Sequence, residues 1–491
     1  MSGYDQLYRE FVSRFPDYGN TAELDDLREQ EFQRLDQNGQ IYLDYTGGSL
    51  YAKSQLNSHT ELLTDNVFGN PHSNNPTSRQ MTDVVEEARA RVLEYFCASP
   101  DEYTAIFTLN ASGALKLVGE AFPFQRESRF LLTVDNHNSV NGIRVFARDK
   151  GAEVKYIPVA MPDLRMDDEG LEDSLDNCDR SVPNLLAYPA QSNFTGVQHS
   201  MDWIPQAQDA GCHVLLDAAA YVPTNTLDLS AVQPDFVALS FYKMFGYPTG
   251  IGCLIAKKKA LGILRRPWFA GGTIALASVH SMNHQLADDE AGFEDGTVDY
   301  LNIPAVKFGL DLLESVSIES IHRRVQSLTG WLLATLMELR HSNGNPMVRV
   351  YGPTTTEARG GNVAFNIYDP DGSLIDFRRV EELANTRQIS LRTGCFCNPG
   401  VIEVAEGLTA KEMEAGFANR DKVNYPHFLS VLEHQEGKSA GAVRVSFGLV
   451  SNFKDAYHLV EFLKTFRDQT TGKIGRVSFD IQTCRRLRDG S

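Results

Sequence analysis

The stretch 213–243, HVLLDAAAYVPTNTLDLSAVQPDFVALSFYK, decides the fold, because it contains two short apolar runs that each end in polar residues. We predict that HVLLD and DFVALS are buried strands. Upstream, the apolar runs TAIFTL (104–109), RFLLTVD (129–135) and NLLAYPA (184–190) are each followed by a segment with helical spacing. Alternation of strands and helices predicts an α/β fold with a mainly parallel sheet flanked by helices.

The pattern changes after the segment 292–305, GFEDGTVDYLNIPA. Long amphipathic segments follow at 305–316 and 321–340, and then the strand-like run GGNVAFNIYD at 360–369. We therefore predict a large domain over 42–303 and a smaller α+β domain over 304–491, with the segment 1–41 packing on the smaller domain. Asp83 and Glu86 have the spacing of a capping box, which predicts a helix that begins at Asp83.

The composition favours chemistry on small molecules. A formal net charge of −18 disfavours nonspecific binding to nucleic acid or to anionic membranes. No secretory signal or membrane-spanning run is visible, and the seven cysteines are scattered, so we expect a cytoplasmic protein without a disulfide framework. The pair Cys395 and Cys397 lacks further ligands nearby, so no metal site is predicted.

Lys243 and Asp217 are the first candidates for catalysis. A lysine after a strand is usually a solvated surface residue, but Asp217 ends a buried strand just upstream and needs a cationic or hydrogen-bonding partner there. A protonated pyridine nitrogen would supply that partner, and Lys243 could bind the same cofactor covalently. The pair thus points to pyridoxal phosphate.

Two loops at neighbouring strand ends are weaker candidates. The turn from Asn110 to Ala114 offers free backbone N–H groups at a helix N-terminus, which suits a phosphate, although many such turns bind nothing. His137 could stack on a cofactor ring, but an ordinary hydrogen bond in a loop is the commoner fate of such a histidine.

Several stretches, in this order, resemble the cysteine-desulfurase-like domain of the molybdenum cofactor sulfurase family, in the class V aminotransferase group. The resemblance runs from about Tyr42 to about Phe466 and implies the fold type I of pyridoxal-phosphate enzymes. The stretches are DYTGGSLY (44–51), FGNPHS (68–73), HVLLDAAAYVPTNTLDLS (213–230), SFYKMFGYPTGIG (240–252), FEDGTVDYLNIPAVKFG (293–309), SLRTGCFCNPG (390–400) and GAVRVSFG (441–448).

The resemblance also implies roles for individual residues. Lys243 would bind the cofactor, Asp217 would hold its pyridine nitrogen and His137 would stack on its ring. The residues implied to hold the phosphate are Ala111, Ser112, Ser240 and Tyr242. Asn193 would contact the cofactor or the substrate carboxylate, and Thr297 would reach the phosphate of a neighbouring subunit, which implies a homodimer.

The same resemblance places the substrate groups. Arg444, with Arg392 beside it, would bind the substrate carboxylate, although either arginine could instead form a structural ion pair. Cys397 would be the nucleophile that accepts sulfur, whereas both Cys395 and Cys397 could equally be buried, inert thiols.

Three functions follow from these residues. The first is a cysteine desulfurase that takes sulfur from L-cysteine as a persulfide on Cys397, releases alanine and passes the sulfur to an unknown acceptor, such as the molybdenum cofactor. The second is a C–S lyase or another lyase acting at the β or γ carbon of an amino acid. The third, a silent binding protein, fits poorly with a complete set of candidate residues.

Overall fold

The computed structural model describes residues 3–71, 73–417, 438–475, 477, 479–480 and 485–486. Part of the predicted domain 304–491 therefore lies outside the described residues. The α-helices are Gly3–Arg14, Glu23–Glu31, Gln33–Gln37, Lys53–Asp65, Pro76–Tyr95, Ala111–Ala121, Asn138–Asn141, Ile143–Asp149, Asp168–Asp176, Trp203–Asp209, Phe241–Phe245, Lys258–Leu261, Ala305–Val316, Ile318–Glu338, Phe377–Asn385, Pro399–Ala405, Ala410–Phe417, Phe453–Lys464 and Thr471–Ile474; 3₁₀ turns cover Pro16–Thr21 and Asp289–Gly292.

The strands of the described chain form one large sheet, one smaller sheet and several short pairs. They are β1 Ile41–Tyr42, β2 Tyr103–Thr108, β3 Arg129–Thr133, β4 Glu153–Ile157, β5 Val159–Ala160, β6 Arg165–Met166, β7 Asn184–Pro189, β8 Cys212–Asp217, β9 Phe236–Ser240, β10 Gly252–Lys257, β11 Ile274–Ala277, β12 His284–Leu286, β13 Val348–Tyr351, β14 Asn362–Ile367, β15 Ile389–Ser390, β16 Arg392–Gly394, β17 Ala442–Ser446, β18 Phe479–Asp480 and β19 Arg485–Arg486.

The large sheet has seven strands in the order β2–β10–β9–β8–β7–β3–β4. The pairings β9–β8, β8–β7, β7–β3 and β3–β4 are parallel, and β10 runs antiparallel to both of its neighbours. The predicted mainly parallel sheet is confirmed. The apolar pattern did not predict that β10 runs antiparallel to its neighbours, because a buried strand is apolar in either direction.

Side chains of the central strands alternate between two cores. In β8, Val214 and Leu216 pack into one core and Leu215 into the other, and all three are fully buried. A strand with helices on both faces is apolar at every position, which is why these segments read as continuous runs. The sheet is therefore a rigid platform whose strand ends hold the polar residues.

The strands β13–β14–β17–β16 form a second, antiparallel sheet, which shares one hydrophobic cluster with the large sheet. The N-terminal helix Gly3–Arg14 packs near it, because Phe11 stacks on Phe453 with ring centroids 4.5 Å apart and meets Trp331 edge-on. Arg28 is buried and donates to Asp455 at 2.6 Å. These contacts connect the first two α-helices of the described chain to the helices Ile318–Glu338 and Phe453–Lys464.

The helix expected at Asp83 begins earlier. It starts at Pro76, after Asn75, whose side chain accepts a hydrogen bond from the Ser78 backbone N–H at 3.0 Å. The prediction of its start was wrong, because an Asn-Pro pair is a stronger start signal than the capping-box spacing seven residues later.

Within the described ranges, no helix combines the length and the apolar character needed to cross a membrane. The same part of the chain contains no group of three or more histidine, cysteine or acidic side chains that could bind a metal ion.

The stacked aromatic cluster around Phe11 predicts a measurable contribution to stability. We expect Phe11→Ala to lower the free energy of unfolding by about 3–5 kcal/mol, because it opens a cavity in a buried cluster. Glu10→Ala, on an exposed face of the same helix, should change it by less than about 0.5 kcal/mol. Urea unfolding of both variants measures this, and equal effects would show that the helix is not anchored through Phe11.

Candidate active site

A cavity of about 310 Å³ lies at the carboxyl ends of the parallel strands. Ligands bind at this edge in open α/β sheets, because the strand ends and helix N-termini converge there. Eight of the predicted site residues line the cavity, namely Ala111, Ser112, His137, Asn193, Asp217, Ser240, Tyr242 and Lys243.

The first wall of the cavity is the turn between β2 and the helix Ala111–Ala121. Asn110 caps this helix by accepting from the Gly113 N–H at 3.0 Å, and the Ala111 N–H donates to the Ser240 Oγ at 2.8 Å. A Cβ on Gly252 would lie 2.5 Å from the Asn110 Cα, so glycine is required for this close approach. The turn is thus held tightly against β9 and β10, with a helix N-terminus facing the cavity.

Asp217 and Lys243 enter the cavity from adjacent parallel strands. Asp217 ends β8 opposite Ala238 of β9, and Lys243 lies in the short helix that directly follows β9. Asp217 is 8% exposed and accepts from the Ala219 N–H at 3.1 Å. A buried carboxylate in this setting is stabilised by a cation or a further donor in the cavity.

Burial lowers the pKa of the Lys243 amine, and the nearby Asp217 carboxylate counteracts part of that effect. Desolvation disfavours the charged ammonium, so the neutral amine is present at a lower pH than for an exposed lysine. A neutral amine is the form that acts as a base or a nucleophile.

His137 caps the short helix Asn138–Asn141. Its Nδ1 accepts from the Ser139 backbone N–H at 3.1 Å, which leaves the ring proton on Nε2 when the ring is neutral. Burial lowers the pKa of the imidazole, and the positive charges of Lys243 and Arg444 lower it further against an opposing effect of Asp217. The ring is therefore neutral over a wider range of pH than a free histidine.

The loop that carries Cys397 is fixed by amide side chains. Asn193 donates to the Phe396 carbonyl at 2.8 Å and accepts from the Asn398 side chain at 2.9 Å. Phe396 and Cys397 both have positive φ, at 54° and 55°. The Cys397 carbonyl accepts from the Asn138 N–H at 2.7 Å. The loop is strained and anchored, which keeps the Cys397 side chain exposed at the edge of the site.

Cys397 does not line the cavity, yet it lies close to it. The charge of its thiolate would raise the pKa of both Lys243 and Arg444. Cys395, in contrast, is half-buried, and burial raises the pKa of its thiol. The alternative that both cysteines are buried is wrong for Cys397, which is exposed, and its role as the nucleophile stays a prediction.

Both candidate arginines bind Asp44. Arg392 donates to its Oδ2 at 2.6 Å, and Arg444 donates to its Oδ1 at 3.1 Å. Arg444 is 4% exposed, and burial lowers the pKa of its guanidinium. Its Nη1 donates to the Asn193 carbonyl at 2.9 Å, while its Nε is buried without a hydrogen-bond partner among the described residues. Both arginines therefore form ion pairs with Asp44, and their binding of a substrate carboxylate stays a prediction.

Thr297 is exposed and lies outside this cavity. It lines a neighbouring cavity of about 310 Å³ that shares Leu109 and Gly250 with the first. A role for Thr297 within its own chain's cavity is therefore not supported by the geometry.

The sequence reasoning missed Asp44, Ser139 and Gln191. Ser139 hydrogen-bonds to Ser112 through the two Oγ atoms at 2.6 Å and borders the cavity together with Gln191. Asp44 lies in the quoted stretch DYTGGSLY, but its partners are 348 and 400 residues away in the chain, so no local signal revealed the pairing.

The sequence profile of the family described as "Aminotransferase class-V" matches residues 41–459. The chain belongs to this family. Among curated relatives, the molybdenum cofactor sulfurase of Arabidopsis thaliana is 36% identical over 92% of the chain, and that of Homo sapiens is 37% identical over 91%. The chain covers 60% and 52% of their respective lengths, so it spans between half and two thirds of these relatives.

Solved structures agree on the fold. An apo cysteine desulfurase from Thermococcus onnurineus NA1 matches with a TM-score of 0.73 and 23% identity, covering 90% of this chain and 97% of that one. A variant of C-DES, described as a cystine C–S lyase, with glycine covalently linked to its pyridoxal phosphate cofactor, matches with a TM-score of 0.67 and 18% identity, covering 89% and 99%. The predicted fold type I is confirmed.

The shared dependence on Asp44 predicts unequal effects of its loss and of the loss of Arg392. Asp44→Asn should lower the free energy of unfolding by about 3–5 kcal/mol, because the buried Arg444 charge loses the carboxylate that neutralises it. Arg392→Gln should cost at most about 1 kcal/mol, since the Arg392 side chain is 53% exposed. Chemical denaturation compares the two variants. A larger loss of unfolding free energy for Arg392→Gln than for Asp44→Asn would show that the Asp44–Arg444 pair is not the main source of the stabilisation.

The two neighbouring cysteines should also differ in reactivity. We expect iodoacetamide at neutral pH to modify Cys397 well before Cys395, because Cys397 is exposed and Cys395 has a raised pKa. Peptide mass spectrometry over time measures both rates, with the exposed Cys97 as the reference. Faster modification of Cys395 would contradict this arrangement of the loop.

Proposed function

We propose that the chain is a pyridoxal-phosphate-dependent, cysteine-desulfurase-like sulfurtransferase. It would take sulfur from L-cysteine as a persulfide on Cys397 and release alanine. The observation that carries the proposal is the meeting of the Lys243 amine and the Asp217 carboxylate in one cavity, with an exposed thiol nearby.

The residues of the cavity fit the cofactor. The buried Asp217 would hold the protonated pyridine nitrogen, and His137 would lie against the ring. The N-terminus of the helix Ala111–Ala121 and the side chains of Ser112, Ser240 and Tyr242 would bind the phosphate. When bound, pyridoxal phosphate supplies an electron sink that stabilises negative charge on the substrate Cα.

Lys243 would act as anchor and as base. Its amine has a lowered pKa, so once released by the incoming substrate it can take the proton from the substrate Cα near neutral pH. The negative charge of the Asp217 carboxylate raises the pKa of the Lys243 amine and so limits the loss of basicity caused by burial.

The substrate carboxylate would bind at the arginines. Arg444 offers a buried Nε–H without a partner in the described chain, and Asn193 stands beside it. Asp44 holds both guanidinium groups in place, and its single negative charge neutralises only one of their two positive charges. The remaining positive charge can bind a substrate carboxylate. Arg392 would close the site from the exposed side.

Cys397 would complete the transfer. Its thiolate attacks the substrate sulfur, forming an S–S bond while the Cβ–S bond breaks and its electron pair stays on the carbon side. Protonation of that carbon skeleton gives alanine. Atoms balance as one L-cysteine plus one protein thiol giving one alanine plus one protein persulfide.

We further propose a homodimer in the cytoplasm that delivers sulfur to the molybdenum cofactor, directly or through another protein. The relatives support this destination.

Exposed apolar residues on the β11–β12 hairpin support self-association, namely Leu276, Val279 and Met282 at 69%, 87% and 85% exposure. Thr297, exposed beside the cavity, would then meet the partner's cofactor. The six described cysteines are all free, which suits a reducing compartment.

A C–S lyase is the second candidate, favoured by the position of Cys397 outside the cavity lining. Such an enzyme needs Lys243 and the cofactor but no protein thiol. It would release pyruvate and ammonia in place of alanine.

Products from L-cysteine distinguish the two functions. We expect Cys397→Ser to lose alanine and persulfide formation while it keeps bound cofactor, and the matched control Cys395→Ser to retain both products. Lys243→Ala should lower turnover by at least about 10²-fold, because it removes the base. Amino-acid analysis and intact-protein mass spectrometry measure these outcomes. Unchanged alanine from Cys397→Ser, or pyruvate and ammonia as the main wild-type products, would refute the desulfurase proposal.

A further inference from the structure

Two cysteines that the proposed reaction does not use touch each other at the far end of the sheet. The Sγ atoms of Cys178 and Cys212 lie 3.4 Å apart, with the Cys212 thiol donating to Cys178. Cys212 begins β8 and Asp217 ends it, so at about 3.3 Å per residue the pair lies roughly 17 Å from the candidate site. This contact is separate from the cavity around Lys243.

The contact joins segments that are 34 residues apart. Cys178 follows the helix Asp168–Asp176, and its backbone N–H donates to the Leu175 carbonyl at 3.0 Å. Cys212 pairs with Asn184 in the sheet and is 3% exposed. Since an S–S bond is about 2.05 Å long, the two sulfurs would have to approach each other by roughly 1.4 Å for a disulfide to form.

The surroundings give the two thiols different roles. The hydrogen bond from Cys212 lowers the pKa of Cys178, burial raises it, and the Arg129 charge lowers it again. The same hydrogen bond, with burial, raises the pKa of Cys212. Cys178 is half-buried and therefore accessible, whereas Cys212 is enclosed. The Cys178 thiol also donates to the Ser174 carbonyl at 3.5 Å, a hydrogen bond that it gives up on deprotonation. Its partial exposure and lowered pKa make Cys178 the thiol that reacts first and Cys212 the one that reacts second.

Arg129 supplies the positive charge that lowers the pKa of Cys178. Its Nε binds Glu153 at 3.0 Å, but its Nη1 is buried and has no hydrogen-bond partner within the described part of the chain. An unpartnered guanidinium N–H is costly unless a negative charge forms nearby. A thiolate on Cys178 would meet that requirement.

We propose that Cys178 and Cys212 form a redox-active dithiol that reacts with hydroperoxides and closes to a disulfide. The Cys178 sulfur attacks one peroxide oxygen, so that an S–O bond forms, the O–O bond breaks and the leaving hydroxide takes a proton to become water. The Cys212 sulfur then attacks the Cys178 sulfur, so that the S–S bond forms and the S–O bond breaks. The second hydroxide takes the Cys212 proton. Two thiols are oxidised by two electrons, and one hydrogen peroxide becomes two waters.

Closure has a structural consequence. The disulfide would tie the end of the helix Asp168–Asp176 to the start of β8 and close a loop that contains β7 and the helix Trp203–Asp209. Such a cross-link restricts the unfolded chain and raises the melting temperature. Reduction by an external thiol would reverse it.

The test uses the purified full chain with equimolar hydrogen peroxide. Free thiols are then blocked with N-ethylmaleimide, and the chain is digested without reduction and mapped by mass spectrometry. We expect a Cys178–Cys212 linked peptide, a melting temperature above that of the reduced chain, and reversal of both by dithiothreitol. A wild-type map in which Cys178 is oxidised without a link to Cys212, or stays unmodified, overturns the proposal.

Variants separate the two steps. Cys212→Ala should halt the reaction at a Cys178 sulfenic acid, which dimedone traps, and Arg129→Gln should slow formation of the disulfide. Cys253→Ala serves as a matched control, since Cys253 is another cysteine buried in the same sheet, and should leave the rate unchanged. If Cys212→Ala does not fold, the wild-type map alone decides. A disulfide that forms as fast in Arg129→Gln as in the wild type would refute the role of Arg129.

Discussion

The parallel pairing of β8 with β9 is the constraint on which the candidate site depends. It sets Asp217 opposite Ala238, so the end of β8 lies beside Ser240 at the end of β9 and the short helix that carries Lys243. Both strands are buried on both faces, and sliding either by one residue would exchange its side chains between the two cores. The packing of the sheet therefore fixes the distance between a carboxylate and an amine that a cofactor would bridge.

A second constraint comes from charge. Asp44 is the carboxylate that accepts from both Arg392 and Arg444, and it joins a segment near the start of the chain to two strands near its end. The buried Arg444 guanidinium has one N–H without a partner among the described residues, which is unfavourable unless an anion completes it. The arrangement thus joins the segment around Asp44 to strands β16 and β17 and, on the proposed function, leaves one donor ready for the substrate carboxylate.

The sequence predicted what local pattern can encode. Continuous apolar runs revealed β7, β8 and β9, and the polar residues at their ends marked Asp217 and Lys243 as candidates. Contacts between residues far apart in the chain could not be predicted in this way, since neither the ion pairs of Asp44 nor the Cys178–Cys212 contact has a local sequence pattern. The reversed direction of β10 and the position of Thr297 outside the cavity depend on tertiary packing as well. Domain boundaries and the roles of the site residues remain proposals.

The central claim is that Lys243 holds pyridoxal phosphate covalently beside Asp217. Its most direct measurement is borohydride reduction of the cofactor-loaded protein, followed by peptide mapping of the modified lysine. We expect a single modified peptide that contains Lys243, together with much weaker cofactor retention in Asp217→Ala. Modification of a different lysine, or no modification in a protein saturated with pyridoxal phosphate, would contradict the claim.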